Sequence, residues 1–189
     1  DRVAISPMLS CVPRGLPPCE SCRRGDYPLC LRFFDGGFAK GMLLGACSDI
    51  GGGFAEMMSV HESMLFPIPL SVSFEAAVLA GPFAVSLHAV LRAPPAPGET
   101  AVVYGCGSLG VLTVLVLRAL FPKTRLLVIG HSPPKKPLAD RLGADALFTS
   151  RGRELIREIG EFVKAPLRVP LFGLPWLQSG VQRIYDTVG

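Results

Sequence analysis

Residues 100–120 read TAVVYGCGSLGVLTVLVLRAL. An apolar run rich in β-branched residues meets a glycine turn, and a longer apolar run of good helix formers follows. The pattern predicts a buried strand over Thr100–Gly105 and a helix over Leu109–Leu120. Between them, Gly105-Cys106-Gly107-Ser108-Leu109-Gly110 fits GxGxxG. That motif alone marks only a tight strand–helix turn; a preceding strand and an opening helix are what make it a dinucleotide fingerprint. Each glycine has a physical task. Gly105 permits the sharp turn, Gly107 lets the backbone approach a pyrophosphate, and Gly110 lets the helix lie close on the strand. The free N–H groups and positive end of the helix would then face the phosphates, which makes Gly105, Gly107, Ser108, Leu109 and Gly110 candidate coenzyme contacts.

Downstream the alternation continues. Strands are predicted at Arg125–Gly130 and Ala146–Phe148, helices near Leu138–Leu142 and at Arg153–Val163, and a further strand in RIYDTVG at the end. Strand, helix, strand, helix, strand argues a parallel sheet joined by crossovers, an α/β fold. A carboxylate at the end of the second strand, about twenty residues past the turn, would hold the ribose hydroxyls of NAD. Here Gly130 stands there, followed by His131 and Ser132, with Lys135 and Lys136 near. A small residue with hydroxyl and cationic neighbours leaves room for a 2′-phosphate. NADP is therefore the expected coenzyme, NAD remains possible, and Gly130→Asp is expected to reverse the preference.

Upstream, Ala93-Pro94-Pro95-Ala96-Pro97-Gly98 is a stiff connector. It predicts a boundary between domains 1–92 and 93–189. Ser73 to Arg92 has helical spacing with an expected break at Gly81-Pro82. Residues 1–70 read as irregular β structure, with a strand at Val3–Ile5 and another through Met58-Ser59-Val60 after a glycine turn. Four of the six cysteines crowd into residues 11–30: Cys11, Cys19, Cys22 and Cys30. Four thiolates suit tetrahedral zinc in a closed site, and the surrounding loop has no apolar run of its own to order it. Disulfides are the competing use; with no secretory signal visible, the expectation is a cytoplasmic protein with reduced thiols.

The net charge of +4 is scattered rather than clustered, which argues against a nucleic-acid partner. The longest apolar stretch, Val111 to Phe121, is interrupted by Arg118 and too short to span a bilayer, so no membrane partner is expected. The hydrophobic fraction of 49% is enough for a sizeable core.

Read in order, DRVAISPMLSC, CESCRRGDYPLC, GGGFAEMMSVHESMLFPIP, FEAAVLAGPFAVSLHAV, GCGSLG and ADRLGAD resemble the zinc-containing medium-chain alcohol dehydrogenases. The resemblance implies part of a GroES-like β domain with a structural-zinc lobe, followed by the first part of a Rossmann parallel sheet. It implies hydride transfer between a small alcohol or polyol and NAD(P), and a homo-oligomer when full length. The family's lobe spaces its cysteines two, two and seven residues apart. Here the first gap is seven, as if Val12–Pro18 held an insertion. Two of the family's catalytic-zinc ligands come from segments upstream of Asp1. The third comes from the position of Gly81, which has no side chain, so no catalytic residue is assigned. His61 is read as a surface residue and His88 as a core one. The chain is expected to be an incomplete and inactive piece of such an oxidoreductase. The alternative is a noncatalytic, zinc-stabilised nucleotide-binding relative.

Overall fold

The computed structural model describes residues 1–131 and 141–188. Ser132 and Lys135, and the helix expected near Leu138–Leu142 up to residue 140, fall outside the described residues. The chain divides into two compact units, Asp1–Val78 and Leu79–Gly189.

The first unit is short of regular structure, as its glycines and prolines dictate. Strand β1 (Val3–Ile5) pairs antiparallel with β2 (Leu65–Pro67), Ala4 opposite Phe66. The strand expected at Met58–Val60 does not form. Residues 57–60 are irregular, and the apolar residues that pair with β1 come five positions later, after a 3₁₀ turn at Glu62–Met64 capped by His61. Leu9, Cys47 and Met64 form one small core, with Ala39, Leu44 and Ile50 against it. Cys11, Cys22, Cys30 and Phe33 form another. The cysteine segment carries one α-helix, the single-turn α1 (Glu20–Arg23), between 3₁₀ turns at Val12–Arg14 and Tyr27–Leu29. Helix α2 (Phe74–Ala77) starts at Ser73, whose Oγ accepts the Ala76 N–H at 3.2 Å.

The second unit opens with α3 (Ala80–Arg92). The break in the helical pattern lies at Val78-Leu79, and not at Gly81-Pro82. Pro82 sits in the first turn of α3, where backbone N–H groups have no helical acceptor and a proline removes nothing. Strand β3 (Thr100–Tyr104) leads into α4 (Ser108–Leu120), and β4 (Arg125–Ile129), β5 (Ala146–Phe148), α5 (Gly152–Val163) and β8 (Arg183–Asp186) follow. A two-residue hairpin, β6 (Leu167–Arg168) with β7 (Trp176–Leu177), intervenes before β8. It carries too few residues for periodicity to reveal it. The sheet is all parallel, in the order β5-β4-β3-β8. By order of appearance this is 3-2-1-4, the first half of the Rossmann arrangement plus the strand that crosses to its other side.

Both faces of this sheet are covered, which is why its strands are apolar without alternation. Ala101, Val103, Leu126 and Val128 pack with Val90 of α3 and Val114 and Leu117 of α4. Val102, Leu127 and Ile129 turn the other way, onto Ile159 and Leu155 of α5. Leu117, Leu126 and Leu127 are fully buried, and each contributes about 1.5–3 kcal/mol by leaving water. The compact units divide at 78/79, ahead of the 92/93 boundary expected from the connector. The reason is that α3 is amphipathic toward α4: Val90 is buried against it, and Ser86 Oγ donates to Leu109 O at 3.2 Å. Among the described residues no helix is long and apolar enough to cross a membrane.

Candidate metal lobe and dinucleotide turn

The four sulfurs of Cys11, Cys19, Cys22 and Cys30 lie within 4.8 Å of one another. Tetrahedral zinc with bonds of about 2.3 Å would set its sulfurs about 3.8 Å apart, so the cluster has the size of one such site. Cys11 Sγ and Cys30 Sγ are 3.6 Å apart, far beyond a disulfide bond, and all six cysteines are free thiols. Helix α1 explains two of the positions. Cys19 is its N-cap and Cys22 its third residue, a spacing that sets both side chains on one side of the turn. The long first gap folds back on itself. Val12–Arg14 makes a 3₁₀ turn, Gly15 closes it at φ +70°, and the Leu16 N–H returns to Cys11 O at 2.9 Å. The Cys19 N–H then points at Cys11 Sγ at 3.4 Å, and the Arg32 N–H at Cys30 Sγ at 3.4 Å. The seven-residue gap thus does not displace Cys11 from the group.

The thiols differ in acidity. Backbone N–H donors from Leu31 and Cys22 lower Cys19 to about 6, so it is largely ionised at neutral pH. Burial raises Cys30 to about 12 and raises Cys11 as well. A divalent cation is what would ionise those two. With four protein ligands the site would be closed, leaving no position for substrate.

Among the described residues this is the one group of three or more His, Cys, Asp or Glu side chains close enough to share a metal. Gly81 lies exposed in the first turn of α3 with open space where a Cβ would be. His61 is exposed and caps its own turn, its Nδ1 2.9 Å from Ser63 Oγ. His88 is exposed, which corrects the core position expected from the apolar helix around it: that face of α3 points away from α4.

In the second unit the glycine turn has the geometry its sequence requires. Gly105 has φ +110°, and a Cβ there would meet Thr187 Oγ1 at 2.5 Å. A Cβ at Gly110 would collide with the Gly105 carbonyl oxygen, so helix and strand approach as closely as backbones can. At Gly107 a Cβ would meet nothing, which leaves the mouth of the turn open. The first helical bond is Val111 N–H to Gly107 O at 2.9 Å. The N–H groups of Ser108, Leu109 and Gly110 precede it and lack helical acceptors, and no side chain caps them. Thr187, just past β8, donates its hydroxyl to Tyr104 O at 2.9 Å and walls the turn on the side where the strand order reverses. Cys106 packs into the core rather than toward the mouth.

Gly130 follows β4 and closes the far side of the turn. A Cβ there would lie 2.7 Å from Cys106 Cβ. Position 130 is therefore glycine for want of space, a constraint the sequence could not disclose, and Gly130→Asp is not the clean exchange expected above. His131 beside it is exposed and sets its Nδ1 3.1 Å from Thr149 O. The carbonyl can only accept, so Nδ1 carries the proton and Nε2 remains for a ligand. Of the coenzyme candidates, Gly105, Gly107, Ser108, Leu109, Gly110, Gly130 and His131 converge on the C-terminal ends of β3 and β4.

The model of the alcohol dehydrogenase GroES-like domain matches residues 1–70. Sorbitol dehydrogenase of Bacillus subtilis (strain 168) is 30% identical over 161 residues, covering 84% of this chain and 41% of the relative. The crystal structure of 2R,3R-butanediol dehydrogenase from Bacillus subtilis superposes with a TM-score of 0.65 at 30% identity, over 87% of this chain and 42% of that one. A zinc-binding dehydrogenase structure from Sinorhizobium meliloti 1021, bound to NADP, gives 0.62 at 26% identity over 87% and 42%. The chain spans less than half the length of these proteins. By the GroES-like match at its start and its likeness to these dehydrogenases over more than four fifths of its length, the chain belongs to the zinc-containing medium-chain alcohol dehydrogenase family.

Proposed function

We propose that this chain is the lobe-and-coenzyme part of an oxidoreductase that moves hydride between a small alcohol or polyol and NADP. The observation that carries the reading is the glycine turn at the edge of the strand-order reversal, the place where open α/β sheets bind ligands. The nicotinamide, when bound, accepts or gives the hydride. The residues of this chain bind and orient. The N–H groups of Ser108, Leu109 and Gly110 take the pyrophosphate, and Gly107 lets it approach. His131 Nε2 serves the adenosine ribose; Ser132 and Lys135, assigned to the same task from the sequence, lie outside the described residues. No carboxylate stands at Gly130 or His131 to claim the ribose hydroxyls or repel a 2′-phosphate. Cys11, Cys19, Cys22 and Cys30 hold one structural zinc and take no part in the chemistry. The relatives named sorbitol dehydrogenase and butanediol dehydrogenase support a polyol or diol substrate; a homo-oligomer follows only from the family resemblance, and a cytoplasmic location only from the expectation of reduced thiols.

One observation favours a second reading. Gly81 offers no ligand, and the described residues form no second metal site. A noncatalytic relative that binds nucleotide and one zinc fits that observation. Two measurements on the full-length protein separate the readings. Two zincs per chain with chelator-sensitive NADP reduction by polyols support the enzyme, whereas one zinc, tight NADPH binding and no turnover support the module. Tighter binding of NADH than of NADPH would overturn the coenzyme assignment in either case.

A further inference from the structure

Arg14 lies in the seven-residue gap between Cys11 and Cys19 and is only 4% exposed. Its guanidinium donates to five backbone carbonyls. Nε reaches Leu9 O at 3.2 Å, Nη1 reaches Asp35 O at 3.1 Å and Phe38 O at 3.4 Å, and Nη2 reaches Ala39 O at 3.0 Å and Gly41 O at 2.6 Å. The planar fork uses its full set of donors in this way. Among the described residues Arg14 makes no ion pair. A buried cation without a counter-charge is costly, and carbonyl dipoles offset only part of that cost.

What fixes Arg14 in place is the cysteine lobe that contains it. Arg14 is also bound to Cys11 through the backbone, its N–H lying 3.1 Å from Cys11 O. On its other side, residues 35–41 have no strand or helix to order them. Beyond Arg14, Asp35 is tied to its neighbour Arg32, whose Nε lies 3.1 Å from Asp35 Oδ2, and Ala39 donates its N–H to Asp49 Oδ2 at 2.6 Å while its carbonyl also accepts from Cys47 Sγ at 3.3 Å. Phe38, Asp49, Leu9, Pro13 and His61 line a cavity of about 490 Å³ in the same unit.

We propose that Arg14 is a positioning residue that couples metal occupancy of the four-cysteine lobe to the order of residues 35–41, and so to the wall of this cavity. With metal bound, Cys11 and Cys19 fix the turn between them, that turn holds Arg14 in place, and Arg14 gathers the five carbonyls. With metal removed, Cys11 and Cys19 are no longer tied to one ion, the turn between them that carries Arg14 relaxes, and the loop loosens. The proposal rests on the reading that the lobe binds zinc.

Hydrogen exchange on the zinc-loaded full-length protein tests it, after zinc content has been measured. No cysteine-bound zinc in the wild type fails the zinc reading itself and with it this coupling. With zinc present, chelation should speed exchange of the Ala39 amide by at least about tenfold, as expected for losing charged hydrogen bonds. Arg14→Met should keep its zinc yet exchange Ala39 at the chelated rate, with chelation adding less than about twofold. Arg14→Lys, with three donors in place of five, should fall between the two. Wild-type exchange in loaded Arg14→Lys, or no change in Ala39 on chelating the wild type, overturns the coupling even if Arg14→Met fails to fold.

Discussion

Cys19 and Gly130 show how one residue's surroundings decide its chemistry. Cys19 is half-buried at the N-cap of α1, with backbone donors that hold its thiol near 6, against an ordinary 9.0. Its folded-state value is depressed, so in metal-free protein the ionised form adds stability above the unfolded value. That contribution is lost as pH falls from about 9 through about 6. In chelated protein at pH 7, Cys19 should therefore alkylate ahead of Cys11 and Cys30, whose buried thiols stay protonated. Peptide mapping after brief iodoacetamide treatment checks this; equal labelling of the three would refute it. The space at Gly130 makes a second prediction. Gly130→Asp should destabilise the protein by about 1–3 kcal/mol through overpacking against Cys106. Cys106→Gly should recover much of that loss, because it removes the Cβ that collides. Thermal melts of the two single variants and the double variant show the coupling. Only the double variant is expected to shift coenzyme preference toward NADH.

At the scale of elements, β3, the glycine turn and α4 act as one unit. The close contact of Gly110 with Gly105 sets the angle at which α4 leaves the sheet. Gly110→Ala should cost about 1–3 kcal/mol and weaken dinucleotide binding together with stability. Gly107→Ala, whose Cβ meets no protein atom, should leave the melting temperature nearly unchanged while lowering affinity for NADPH. That divergence between two glycines of one motif is measurable by calorimetry and coenzyme titration. The edge strand β8 is anchored differently, by Tyr185, whose hydroxyl donates to Ala93 O at 2.6 Å. Tyr185→Phe should cost about 1 kcal/mol, a typical net hydrogen-bond contribution. The single-turn helix α1 has no comparable packing, and the cysteine lobe around it should lose its order on chelation.

For the whole molecule, the two units draw on different sources of order. The second has a two-faced apolar sheet, whereas the first has two small clusters and a metal-sized group of thiols. Chelation should therefore lower the cooperativity or midpoint of unfolding for 1–78 while leaving the sheet of 79–189 folded, as exchange of the β3 and β4 amides would report. The described residues offer one zinc per chain, and metal analysis of the 189-residue chain should return that number. Most of the second unit was legible in the sequence alone, because buried parallel strands and the helices between them carry strong local patterns: Thr100–Tyr104, Ser108–Leu120 and Arg125–Ile129 lie within a residue of expectation. The cysteine cluster was legible from spacing for the same reason, since metal ligation selects residue type. What depended on contacts between distant residues was not. The placing of a strand at Leu65–Pro67, paired with β1, where one was expected at Met58–Val60, the exposure of His88 and the hairpin of β6 with β7 were settled by partners elsewhere in the chain. Arg14 and Gly130 show the limit most plainly: an arginine inside a loop and a glycine at a strand end are ordinary in sequence. Only the tertiary structure places five carbonyls around the one and Cys106 against the other, because burial and steric space are properties of the assembled fold.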